Sequence, residues 1–231
     1  MEAVIIKEAA IILKQIPFVL DVDNYIKKLR LGERVKYIER AKALAFEAQE
    51  IGRPKAFSRP VYIEEKGDGV IVIDGITFSS SLFNANLQDV FRVFPFVATC
   101  GTELEGWSKT KTSTLEQLWA DILKQEALKV AIKALTDHLC NNFGLQKIGQ
   151  MNPGSLPSWP LTEQIPLFQL LDKAEEAIGV VLTGGLAMYP VKSVSGFLFP
   201  SATEFKNCQL CQRQGCPGRR IPYEASLLKQ L

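Results

Sequence analysis

Histidine is almost missing from this chain. His138 is the only one among 231 residues, which excludes metal sites built on several imidazoles and leaves little for a histidine-based triad. Long apolar runs are missing too. None approaches the ~20 residues of a membrane span, and Lys7 and Lys14 interrupt the first apolar stretch. The N-terminus carries Glu2 and no basic region, so a secretion signal is not expected and the expected compartment is the cytoplasm. Neither sign of charge prevails: 27 Lys and Arg stand against 25 Asp and Glu, which argues against a protein made to grip nucleic acid or a membrane surface. Five cysteines, an odd number, do not form a disulfide framework in a chain this long. There is no phosphate-cradling glycine loop and no Gly-x-Ser-x-Gly elbow, which removes the commonest nucleotide-binding and hydrolase readings.

What is present is a sizeable core, with 47% of residues hydrophobic. The region before Glu33 reads as a marginal helix over Ile5 to Leu13, then a charged hinge Lys27-Lys28-Leu29-Arg30. Val35, Ile38, Ala41, Ala45 and Ala48 recur at helical spacing, and Gly52 with Pro54 stops the helix. Val61–Glu65 and Val70–Ile73 read as a hairpin about Lys66–Gly69, with Gly75–Phe78 extending the second strand across a bend. Val90–Thr99 reads as a buried strand. Ser113 with Glu116 forms a capping-box pattern ahead of the clearest helix, which runs to Gly144. After a proline-rich loop, a helix from Thr162 to about Ile178 and two strands, 180–182 and 194–199, complete the order. This predicts an α+β fold with helices packed on a largely antiparallel twisted sheet. The expected divisions are an N-terminal helical extension (1–32), an α+β domain (33–205) and a Cys-rich tail (206–231).

The loop beginning Gln150-Met151-Asn152-Pro153-Gly154-Ser155 is the first candidate site. Its proline and glycine fix an unusual path and leave amides bare, which suits a ligand's polar edge; the plain alternative is a rigid connector. Trp159 beside it suits either the core or a ligand wall. His138 reads as a surface residue, and Glu103 and Glu105 as part of a solvated loop.

Four motifs occur in a telling order: Pro153-Gly154, Trp159-Pro160-Leu161-Thr162-Glu163, Leu186-Ala187-Met188-Tyr189-Pro190, and Ser193-Val194-Ser195-Gly196. With Phe96–Glu105 and the long helix after it, they resemble the activation domain of cobalamin-dependent methionine synthase, over roughly Val61 to Phe199. The resemblance implies that domain's fold. It also implies binding of S-adenosylmethionine, and docking on a cobalamin (corrinoid) module as an accessory to its methyltransferase activity. There a one-electron donor, supplied by a reductase, and the sulfonium methyl group restore methylcobalamin. It further implies a stand-alone protein serving a corrinoid protein in trans. Gln150, Asn152, Pro153, Gly154 and Ser155 would line the donor or docking cleft, and Tyr189, Ser193, Ser195 and Gly196 its opposite wall. This chain departs from the family's Arg-x-x-x-Gly-Tyr loop, with Gln150 at the arginine position and Ser155 at the tyrosine position. Leu161 and Gln164 replace the histidine and lysine of the family's His-Thr-Glu-Lys.

The second candidate is Cys208-x2-Cys211-x4-Cys216, followed by Arg219-Arg220. Three close thiols suit zinc or a [4Fe–4S] cluster, with the arginines offsetting thiolate charge, or they remain unmetallated. An electron-transfer or regulatory metal module on the same fold is thus the alternative function.

Overall fold

The computed structural model describes residues 9–202, 205–216 and 219–226. In chain order its elements are β1 (Ile11–Leu13), α1 (Val22–Leu29), α2 (Val35–Ile51), β2 (Lys55–Ser58), β3 (Val61–Tyr62), β4 (Glu65–Gly67), β5 (Val70–Ile73), β6 (Ile76–Ser79), α3 (Leu82–Leu87), β7 (Arg92–Thr99), α4 (Thr102–Lys109), α5 (Thr114–Phe143), β8 (Ile148–Met151), α6 (Gln164–Leu170), α7 (Ala174–Ile178), β9 (Val181–Leu182), β10 (Met188–Tyr189) and β11 (Ser193–Pro200). The main sheet runs β1-β2-β7-β11-β8, with β3 also on β7, and every pairing is antiparallel.

β7 explains why its sequence is apolar almost without a break. Successive side chains of a strand face opposite ways, and both faces of this strand are covered. Phe94, Phe96 and Ala98 meet Leu128, Ala131, Leu135 and Leu139 of α5. Val93 and Val97 share the opposite core with Phe78, Phe83, Trp159 and Phe197. A third cluster joins α1, α2, α4 and the start of α5 through Tyr25, Leu44, Trp107 and Trp119. Among the described residues no helix is long and apolar enough to cross a membrane.

Several local expectations are corrected. Ile11–Leu13 is a strand on β2 rather than part of a helix; residues 5–8 of that expected helix lie outside the described residues. The charged hinge is the end of α1, which Asp21 starts by accepting a hydrogen bond from the Asn24 amide at 2.9 Å. Chain reversal at Asp74-Gly75, where both residues have positive φ (50° and 71°), makes β6 a separate hairpin partner of β5 and not its continuation. The Ser113 side chain makes no cap, and the Glu116 carboxylate that would complete the box pairs instead with Arg40 at 2.6 Å. The helix expected from Thr162 is a 3-10 turn, α6 and α7, with the apolar spacing kept across the breaks. Glu105 is not solvated: it lies on α4, buried and paired with Lys124 of α5.

Candidate functional site

β8 is four residues long, and its far side is covered by the returning chain: the Gln150 amide donates to the Phe205 carbonyl at 2.7 Å. Leu198 and Phe197 of β11 pair with Gln150 and Met151 on the near side. The two strands approach so closely that a Cβ on Gly196 would fall 2.0 Å from the Met151 carbonyl oxygen. Only glycine permits this crossing.

Around that crossing a buried polar network forms. Gln150 Nε2 donates to Asn152 Oδ1 at 3.1 Å, and Asn152 Nδ2 donates to the Ser195 carbonyl at 2.7 Å. Asn207 Nδ2 reaches the Asn152 carbonyl at 3.0 Å. From the tail, Arg220 Nη1 donates to Gln150 Oε1 at 2.5 Å, and Nη2 approaches Asn152 Oδ1 at 3.4 Å. Gln150, Asn152, Ser195 and Asn207 are all nearly closed to solvent, which makes each of these bonds costly to lose.

Pro153, Gly154 and Ser155 continue into a loop that folds on itself. The Gly154 amide donates to the Trp159 carbonyl at 2.8 Å, and the residue's φ of +75° with Leu161 packed against it suits glycine. Trp159, which the sequence left open between core and ligand wall, is core: its ring is fully buried, stacked on Phe197 with centroids 5.3 Å apart.

The candidate residues of the other wall divide. Ser195 and Gly196 belong to the Gln150 network. Tyr189 lies on β10, and Ser193 opens β11 at the end away from that network, where it pairs with Thr99 and its hydroxyl is hydrogen-bonded to Thr99 Oγ1 and the Pro190 carbonyl. Four strand residues, about 13 Å, separate Ser193 from Phe197, the partner of Met151. The Tyr189 hydroxyl accepts from Lys109 at 3.2 Å, with the ammonium over its ring.

An open groove of about 510 Å³ lies against this network, between α5 and β8. Gln150 lines it, together with Lys129, Lys133, Lys147, Lys206 and Arg220; among the described residues Asp137 is its one carboxylate, engaged by Lys133 at 2.5 Å. These basic residues were missed in the sequence. A trace of them was there, since Lys129, Lys133, Thr136 and Cys140 follow one face of the long helix at i, i+4, i+7 and i+11.

The expected metal ligands are not assembled. Cys208, Cys211 and Cys216 are half-buried free thiols, and among the described residues no three His, Cys, Asp or Glu side chains are grouped to hold a metal. The arginines expected to offset thiolate charge are used otherwise. Arg219 donates to the carbonyls of Cys208, Cys211 and Arg213 at 2.8, 3.0 and 2.6 Å, holding the loop by its backbone, while Arg220 turns to Gln150.

Residues 152–215 match the family model described as vitamin B12 dependent methionine synthase, activation domain. Among solved structures, the MetH reactivation domain bound to AdoHcy aligns with a TM-score of 0.62 and 16% identity, covering 87% of this chain and 81% of that one. The fold is that of the methionine synthase reactivation domain. No curated protein matches the sequence. The matched segment contains the Asn152–Ser155 loop, the hairpin of β9 and β10, β11, Asn207 and two of the three clustered cysteines, Cys208 and Cys211, so the likeness bears on part of the polar network, with Gln150 and Arg220 outside it.

Proposed function

We propose that this chain supports the reductive reactivation or methylation of a corrinoid cofactor held by a partner methyltransferase, with S-adenosylmethionine as methyl donor at the groove beside Gln150. The observation that supports this most is the groove itself. It opens at the strand end leading into the family-matched segment, on a fold whose solved counterpart was crystallised with AdoHcy. Its volume lies in the range of small-molecule sites, roughly 300–1,000 Å³. Its lining also fits: the Arg220 guanidinium, seated on the Gln150 side chain, suits the polar amino-acid end of such a donor. When bound, the donor would supply a methyl group on a sulfonium, while a one-electron reductant supplies the electron. The chain's own residues bind, orient and shield. Tyr189 and Ser193, away from this groove, belong in this reading to the docking face for the corrinoid partner.

The test is calorimetric titration of the chain with S-adenosylmethionine, together with pull-down by the cobalamin-binding module of methionine synthase. Saturable heat and a retained complex are expected. Absence of both would leave the fold with no support for this role.

A further inference from the structure

Arg220 brings into the groove a charge that no carboxylate among the described residues neutralises. Its two hydrogen bonds go to amide oxygens, Gln150 Oε1 and Asn152 Oδ1, and among the described residues no carboxylate pairs with it. A guanidinium has five N–H donors in a planar fork, so donors remain after these two bonds, and the residue is exposed on the groove side. Its placement is fixed by its neighbour. Arg219 binds three backbone carbonyls of the cysteine loop, which anchors the peptide immediately before Arg220. Of the lysines along the groove, Lys129 pairs with Glu126 at 2.9 Å and Lys133 with Asp137 at 2.5 Å, and Lys147 and Lys206 extend the positive field beside Arg220. Gln150 cannot hold an anion as a fixed charge; the guanidinium resting on its side chain can.

We propose that Arg220 is the carboxylate anchor of this groove, receiving the carboxylate of an amino-acid-type ligand on the free edge of its fork while Gln150 and Asn152 hold the other edge. This rests on the reading of the groove as the ligand site and adds which group of the ligand is recognised, and by which residue. The same chemistry is offered by an adenosyl amino acid and by a free amino acid.

The experiment is titration calorimetry of the full chain with S-adenosylmethionine, with its decarboxylated analogue, and with methionine. Each ligand is tested on wild type, Arg220→Gln, Arg220→Lys and, as a charge-only control, Lys147→Gln. Wild type is expected to prefer S-adenosylmethionine over the decarboxylated form by about ten- to hundred-fold, the range of a charge-assisted pair. Arg220→Gln should bring that ratio near one, Arg220→Lys should keep part of it, and Lys147→Gln should change it least. Circular dichroism and melting curves check folding; were Arg220→Gln unfolded, the Arg220→Lys ratio decides. Equal binding of both adenosyl compounds by wild type, or an unchanged ratio in Arg220→Gln, overturns the anchor and leaves the donor site standing. Binding of methionine alone, lost in Arg220→Gln, upholds the anchor and overturns the adenosyl donor. No binding of any of the three overturns both.

Discussion

The Lys124 ammonium lies 3.1 Å from a Glu105 carboxylate oxygen, with only 9% and 3% of the two side chains exposed. This buried pair ties α4 to α5 beneath Cys100. Removing one partner strands the other charge in a low-dielectric interior. Lys124→Met is therefore expected to cost about 3–5 kcal/mol in urea unfolding, and Lys124→Met with Glu105→Leu to recover most of it. A single variant as stable as wild type would show that the pair is solvated.

The same neighbourhood governs thiol chemistry. Burial, reinforced by the nearby Glu105 carboxylate, pushes the Cys100 thiol up to about 12, whereas Cys140, Cys208, Cys211 and Cys216 are half-buried. Alkylation at pH 8 followed by mass mapping is expected to label those four and spare Cys100 until the chain is denatured. Labelling of native Cys100 at the rate of Cys208 contradicts this.

Acid should weaken the fold partly through Glu47. The Lys111 ammonium at 2.8 Å lowers its carboxyl from the ordinary value; burial opposes this and the Trp107 indole N–H at 3.1 Å assists. A carboxyl held lower in the folded than in the unfolded state stabilises above its unfolded value, about 4.3, and loses that contribution as pH falls through the folded value. Melting temperatures from pH 7 to pH 3 should therefore fall more steeply below about 4.3 in wild type than in Glu47→Gln. Parallel curves would refute the assignment.

Two glycines should respond oppositely to alanine. At Gly196 the new methyl would meet the Met151 carbonyl oxygen at 2.0 Å. β8 and β11 must then separate, at a cost of at least ~2 kcal/mol, and amide exchange at Gln150 should accelerate. Gly106, inside α4, has open space at the same point, and Gly106→Ala is expected to stabilise by roughly 0.5–1 kcal/mol. Equal effects at the two positions would refute the close crossing.

Legibility in the sequence followed physical range. β7 and α5 could be read directly, because burial on both faces makes one a continuous apolar run and the other keeps a broad apolar stripe. The Asp74-Gly75 reversal was readable but passed over, although an Asp-Gly pair between apolar runs is a strong hairpin signal. The reciprocal half of the Ser113–Glu116 box was misread because a capping pattern describes local partners, and Glu116 found a distant one in Arg40. For the site, the special backbone of Asn152–Ser155 was visible from its proline and glycine, and Gly196 from the motif it ends, whereas Gln150 and Met151, read as part of that loop, are the end of strand β8. The groove was not, because its cations come from α5, from Lys147 and Lys206 on either side of the β8–β11 pair, and from Arg220, seventy residues beyond Gln150. Nothing in local spacing reports such a meeting.

The returning chain at Phe205 has a consequence beyond ligand chemistry. Along β8 it occupies backbone hydrogen-bonding positions that would otherwise face outward in a row, an open template for another molecule's strand. Among the described residues, the opposite margin of the sheet is the three-residue strand β1. The segment that delivers a cation to the groove thus also guards the sheet against stacking edge to edge with its own copies.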